Sequence, residues 1–275
     1  MRAYVQTRGT TADYAFLGAA PASRWWMAFR DATSFEQPTM IVSGDRAEWR
    51  CYLSGIPSRR TDRVGTAIRY TVILEGRCTE PAGDALQLVA TWLSDVTTGE
   101  PDRRVQAALD SVFDEATVER LLAVRSADRE SASEVERLAA SAMANLSASP
   151  QPPNSTESGS WAGATTSVRA QGELLARIAE LLRGQREGTA ALLNLLGTAD
   201  EVAKLAEQVG PLGALIEDPA GALGDGVVAV EKKKPSEAAS PSPSPSRSSP
   251  TIRWVAIGVL IGATLLAIWF LLQTH

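Results

Sequence analysis

The densest run of polar side chains is Ser58-Arg59-Arg60-Thr61-Asp62-Arg63, followed by Gly65 and Arg69. Three arginines within five positions can fork onto a phosphate or carboxylate, because the guanidinium is planar and always charged. Trp25, Trp26, Trp49 and Tyr52 offer stacking faces for a base or another aromatic ligand. Arg59, Arg60, Arg63 and Trp26 are therefore the candidate ligand- or partner-binding residues. A solvated hairpin loop, with Asp62 neutralising one arginine, accounts for the same residues more simply.

Most other chemistry is excluded by counting. The 275 residues include one histidine, His275, the last residue. A Ser-His-Asp triad, a histidine general base and a histidine-ligated metal are thereby ruled out of the body of the chain. The two cysteines, Cys51 and Cys78, cannot make a zinc ribbon or a CxxC redox pair. The four lysines, Lys204 and Lys232 to Lys234, follow no Gly-rich turn, so there is no Walker A loop. Acid pairs such as Asp114-Glu115 and Asp128 with Glu130 read as solvated helix faces. We expect no catalytic residue, no metal site, no cofactor and no enzymatic activity.

Net charge is −5, which gives no global case for nucleic-acid binding. The charge is uneven: residues 1–80 carry +3, residues 81–150 carry −6, residues 151–230 carry −5 and residues 231–275 carry +3.

The elements that would position the candidate residues begin with strands. Trp25, Met27 and Phe29 alternate with Arg24, Trp26 and Arg30. Trp49, Cys51 and Leu53 form a second alternating set, and Ile68, Tyr70, Val72 and Leu74 a third. Ala3–Thr7 and Thr39–Ser43 are further strand-like runs. Helical periodicity then takes over in 84–96, after Pro101, and in 131–146. Residues 1–146 are expected to form an α+β head: a small antiparallel sheet or partly open barrel followed by covering helices. A Ser/Pro/Gly-rich linker is expected over 147–166. An amphipathic helical segment is expected over 167–230, with helices in 167–183, 190–196 and 200–209.

The last two pieces are compositional. Residues 231–250, EKKKPSEAASPSPSPSRSSP, contain no large apolar side chain and read as a disordered linker. Residues 252–272, IRWVAIGVLIGATLLAIWFLL, lack charge after Arg253. At about 1.5 Å per residue they match a bilayer core of roughly 30 Å. Residues 251–275 are thus expected to be a single-pass tail anchor. Arg253, Arg247 and the lysine run precede it and no Lys or Arg follows, which places the head in the cytoplasm by the positive-inside rule. Gly258 and Gly262 have the GxxxG spacing that lets two membrane helices pack closely, so a homodimer through this helix is an expected partner state.

This layout predicts a non-enzymatic adaptor or regulatory subunit that localises a cytoplasmic protein partner at the membrane. Two alternatives use the same features. The layout resembles that of small membrane-anchored accessory proteins of bacterial defence operons, which implies a membrane effector triggered by clustering. The arginine cluster would instead suit a module sensing a phosphate or nucleotide ligand.

Overall fold

Five strands form the N-terminal third: β1 (Arg2–Thr7), β2 (Ala15–Phe16), β3 (Thr39–Gly44), β4 (Glu48–Thr61) and β5 (Ala67–Arg77). They are seen in a computed structural model that describes residues 1–99, 103–124, 129–146, 152 and 154–230. Their alternation sorts side chains between two cores. Val5, Met40, Val42, Trp49, Cys51, Leu53, Val72 and Leu74 face one core, while Tyr4, Ile41, Tyr52 and Ile73 face the other. Both faces are covered, so the central strands are apolar on both sides.

Four helices follow: α1 (Gly83–Thr97), α2 (Arg104–Asp110), α3 (Glu115–Ala123) and α4 (Arg129–Ala144). All four pack on the first core, through Leu88, Trp92, Leu109, Val118 and Val135 among others. The chain then returns to the sheet through β6 (Trp161–Ala164), α5 (Val168–Leu182), β7 (Gly188–Leu193), α6 (Ala199–Val209), β8 (Leu212–Ile216) and β9 (Val227–Ala229).

The result is one nine-stranded sheet in the order β2-β1-β5-β4-β3-β7-β8-β6-β9. Pairing is antiparallel from β2 to β7. It is parallel between β7 and β8 and between β8 and β6, and β9 closes the edge antiparallel to β6. The fold is therefore mixed α/β with a large, mostly antiparallel open sheet and helices. α5 packs on the first core through Leu174, Ile178 and Leu181, whereas α6 packs on the second through Val202 and Leu205.

Three expectations are corrected. First, Trp25–Ala32 is a 3₁₀ helix, not a strand. Trp25, Phe29 and Ala32 turn toward the second core at helical spacing, and a seven-residue segment cannot separate that period from alternation. Second, the sheet is neither small nor a barrel. Third, residues 167–230 are not helical throughout and do not stand apart from the head. Residues 190–193, expected as helix, lie in β7, and β3 pairs with β7 from Met40↔Leu192 to Gly44↔Gly188. Alanine and leucine favour helix only weakly, and burial on both faces between Gly188 and Gly197 overrides that preference. The expected linker 147–166 likewise contains β6, where Trp161 is 1% exposed.

The strand pair β4–β5 carries register shifts between Leu53 and Ile56 and between Pro57 and Thr61. At the first, Gly55 has φ +72°, and a Cβ there would sit 2.2 Å from the Gln37 carbonyl oxygen. Only glycine fits, and the bulge re-aims the outer half of β4. The expected linker 231–250 and tail anchor 251–275, with Gly258 and Gly262, lie outside the described residues, as do positions 147–151 and 153 of the inner linker. Among the described residues no helix is long and apolar enough to cross a membrane.

Candidate functional site

The three candidate arginines do not converge. Arg59 and Arg60 lie inside β4, not in a loop, and only Arg63 belongs to the turn before β5. Successive strand residues point to opposite sides. Arg60 turns back into the fold: its Nη1 donates to the Arg8 carbonyl at 3.0 Å and its Nη2 to Thr7 Oγ1 at 2.8 Å. Its guanidinium also lies over the Tyr70 ring, 5.1 Å from the centroid. Arg59 and Arg63 remain exposed.

The surroundings explain this arrangement. The second bulge takes Ser58 and Arg59 off the ladder, and Asp110 at the end of α2 takes them up. Asp110 accepts from Ser58 Oγ at 2.7 Å, from the Arg59 amide at 2.9 Å and from the Tyr70 hydroxyl at 2.9 Å. Burial pushes the Tyr70 phenol up to about 12, so it stays a donor. Asp62 does neutralise an arginine, but it is Arg8, at 3.3 Å. Amides of the turn also bond Asp62, Thr66 foremost, and hold its carboxyl below the usual range. This corner is a brace between β1, β4 and α2.

Trp26 leads to a different place. It stacks on Tyr52 with ring centroids 5.4 Å apart and planes 16° from parallel. Trp25 meets its edge at 6.1 Å. Tyr52 comes from β4 on the side opposite Cys51, and burial raises its phenol pKa. Trp26 and Tyr52 line a groove of about 690 Å³ together with Phe16 of β2, the pair Tyr14–Phe35, edge to face at 4.7 Å, and Leu121 and Leu122 of α3. Arg24 and Met27 stand at its rim, and Met27 is 46% exposed.

The other rings behave differently. Trp49, Trp92, Trp161, Tyr70 and Phe113 are at most 1% exposed. The five aromatic residues left partly exposed among the described residues are Tyr14, Phe16, Trp25, Trp26 and Phe35. Four of these five line the one groove, and Trp25 packs against the fourth wall, Trp26. The first core thus buries its rings completely, while one end of the head leaves a set of them half covered.

Sequence reasoning finds Trp26 but assigns it to a strand face, and it misses Tyr14, Phe16 and Phe35. These three sit in short or irregular segments with no period to read. The one signal is their density in a stretch otherwise rich in Ala, Ser, Gly and Pro.

The other sequence candidates fall as follows. Cys51 is fully buried, and burial raises its thiol pKa; Cys78 is half-buried. No cluster of three or more His, Cys, Asp or Glu able to hold a metal occurs among the described residues. Comparison of the chain with protein families, with curated proteins and with solved structures returned no match.

Proposed function

We propose that this chain is a non-enzymatic adaptor. Its folded head captures a segment of a cytoplasmic partner protein in the groove around Trp26, and the apolar stretch 252–272 holds the assembly at the membrane. The observation that carries the reading is the gathering of half-covered aromatic rings at one groove. Trp, Tyr, Met and Arg are the residues that dominate protein interfaces, since large rigid rings bury much area at little entropic cost. The groove volume is in the range of a pocket that takes one or two anchoring side chains. Arg24 at the rim supplies a charge for orientation more than for affinity.

The arginine corner contributes to this function by holding β4 in place, not by binding a phosphate. What supports this is that Arg60 is turned inward onto the Arg8 carbonyl and Thr7, while Arg59 and Arg63 stay exposed.

The test is affinity purification of the tagged full-length chain from solubilised membranes, beside the Trp26→Ala and Phe35→Ala variants. The adaptor reading predicts a stoichiometric protein partner whose recovery falls about tenfold or more in Trp26→Ala. A partner retained equally by both variants, or a chain recovered alone, would contradict it.

A further inference from the structure

The Trp26 groove reaches around one edge of the sheet. β2 is the outermost strand on that side and pairs only with β1. Successive strand residues point to opposite faces, yet Ala15 and Phe16 both line the groove, with Tyr14 before them and Gly18 after. A groove lined by both takes in the strand edge itself and not one face alone.

The register shows what that edge offers. Gln6 stands opposite Phe16 and Thr7 opposite Ala15. The Leu17 amide donates to the Val5 carbonyl at 2.9 Å, so the bonded pairs of this ladder fall at Leu17 and, two residues back, at Ala15. Gln6 and Phe16 are the non-bonded pair between them, and the N–H and C=O of Phe16 point away from β1. Among the described residues no further strand lies beyond β2 to take them up.

The lining supplies a second preference. Apart from Gln6 and Arg24, the residues lining the groove are apolar or aromatic. Met27 and Val124 are 46% and 36% exposed, so large apolar side chains stand open to an occupant. Arg24 is the one charged residue of the lining among the described residues, and no Asp or Glu faces it there. Its side chain is exposed and in no ion pair among the described residues. The complement is an apolar segment that carries a carboxylate.

We infer that the occupant is an extended, carboxylate-bearing segment of the partner protein that adds to the edge of β2 as a further strand. This rests on the capture of a protein segment proposed above. The segment's main chain bonds the Phe16 N–H and C=O, large apolar side chains at every second position enter the groove, and an Asp or Glu pairs with Arg24. A helical segment, whose own amides and carbonyls are already paired, would leave the Phe16 groups unused. The edge strand is only two residues long, which limits indiscriminate pairing. Main-chain bonds therefore set direction and register, while the rings and apolar side chains carry the affinity.

The purified full-length chain, used to select binders from a random peptide library, tests the inference. Each selected peptide is then measured against the parent, Trp26→Ala and Arg24→Glu chains. The expected peptides hold an Asp or Glu beside alternating large apolar residues. They weaken about tenfold or more in Trp26→Ala and about tenfold in Arg24→Glu, and replacing the peptide's acid by Lys restores binding to Arg24→Glu. Methylating the peptide amides one at a time should abolish binding at an amide that faces β2 and spare its two neighbours, because alternate amides face the edge. Arg24 is exposed, so Arg24→Glu folds, which circular dichroism verifies. Peptides that need Trp26 but bind Arg24→Glu equally, or that tolerate methylation at every amide, would overturn this inference and leave the capture reading standing. Peptides indifferent to Trp26→Ala, or a library that yields no binder, would overturn both.

Discussion

Arginines that look alike in sequence have different work here. Arg60 is held by Thr7, the Arg8 carbonyl and the Tyr70 ring, so Arg60→Ala removes several charge-assisted bonds and strands partly buried acceptors. A loss of about 1–3 kcal/mol is expected. Arg59→Ala and Arg63→Ala, at exposed positions, should change stability by less than about 0.5 kcal/mol. Urea unfolding of the three variants checks this ordering, and equal effects would remove the bracing role. Trp26→Ala belongs to the same scale. It loses its stack on Tyr52, worth about 0.5–1.5 kcal/mol beyond area, so its folded state survives while partner capture falls. Size and charge at these residues are readable from sequence. Which arginine turns inward is not, because that depends on a bulge in β4 and on Asp110, distant in sequence.

At the scale of elements, α6 is fixed at its start by the reciprocal cap of Thr198 and Glu201. Bonds from Gly197 and Thr198 hold the Glu201 carboxyl below its ordinary range. The contribution is therefore complete above the ordinary glutamate pKa and is lost as pH falls through the lowered value. Glu201→Gln should lower the melting temperature at pH 7 and narrow the gap between pH 7 and pH 3 relative to the parent. An unchanged gap would show that the cap does not couple to stability. Elements with long, one-sided periods are legible in the residue pattern alone: α1, α5 and α6, and the faces of β4 and β5. β6, β7 and β8 are not. Each is a run of four to six residues buried on both faces, such as GTAALL and LGALI, and such runs carry no alternation. Trp25–Ala32 misleads for the opposite reason, since its short run satisfies two periods at once. The Trp26 groove is half legible, through one residue, because its other walls come from β2 and the residues beside it, from the irregular segment between the 3₁₀ helix and β3, and from Leu121 and Leu122 of α3, distant in sequence.

For the molecule as a whole, the pairing of β3 with β7 makes residues 1–230 interdependent. A chain ended at residue 146 would expose the β3 edge and uncover Met40, Val42 and Trp49, which α5 and β7 help to bury. We expect that fragment to aggregate, whereas a chain ended at residue 230 should unfold in one cooperative transition. Gel filtration and thermal denaturation of the two fragments decide the matter; a monomeric, cooperatively folded 1–146 would contradict the interdependence. A one-piece head suits the capture role proposed for the Trp26 groove. The groove's role in capturing a partner is the central claim. Its most direct measurement is site-specific photocrosslinking in intact cells, with benzoylphenylalanine at Met27 on the groove rim and, as control, at Val64 on the β4–β5 turn, which is 86% exposed. One discrete protein adduct from position 27, absent from position 64 and lost when Trp26→Ala is added, is the predicted result. The same adducts from both positions, or an adduct from position 27 that survives Trp26→Ala, would contradict the account.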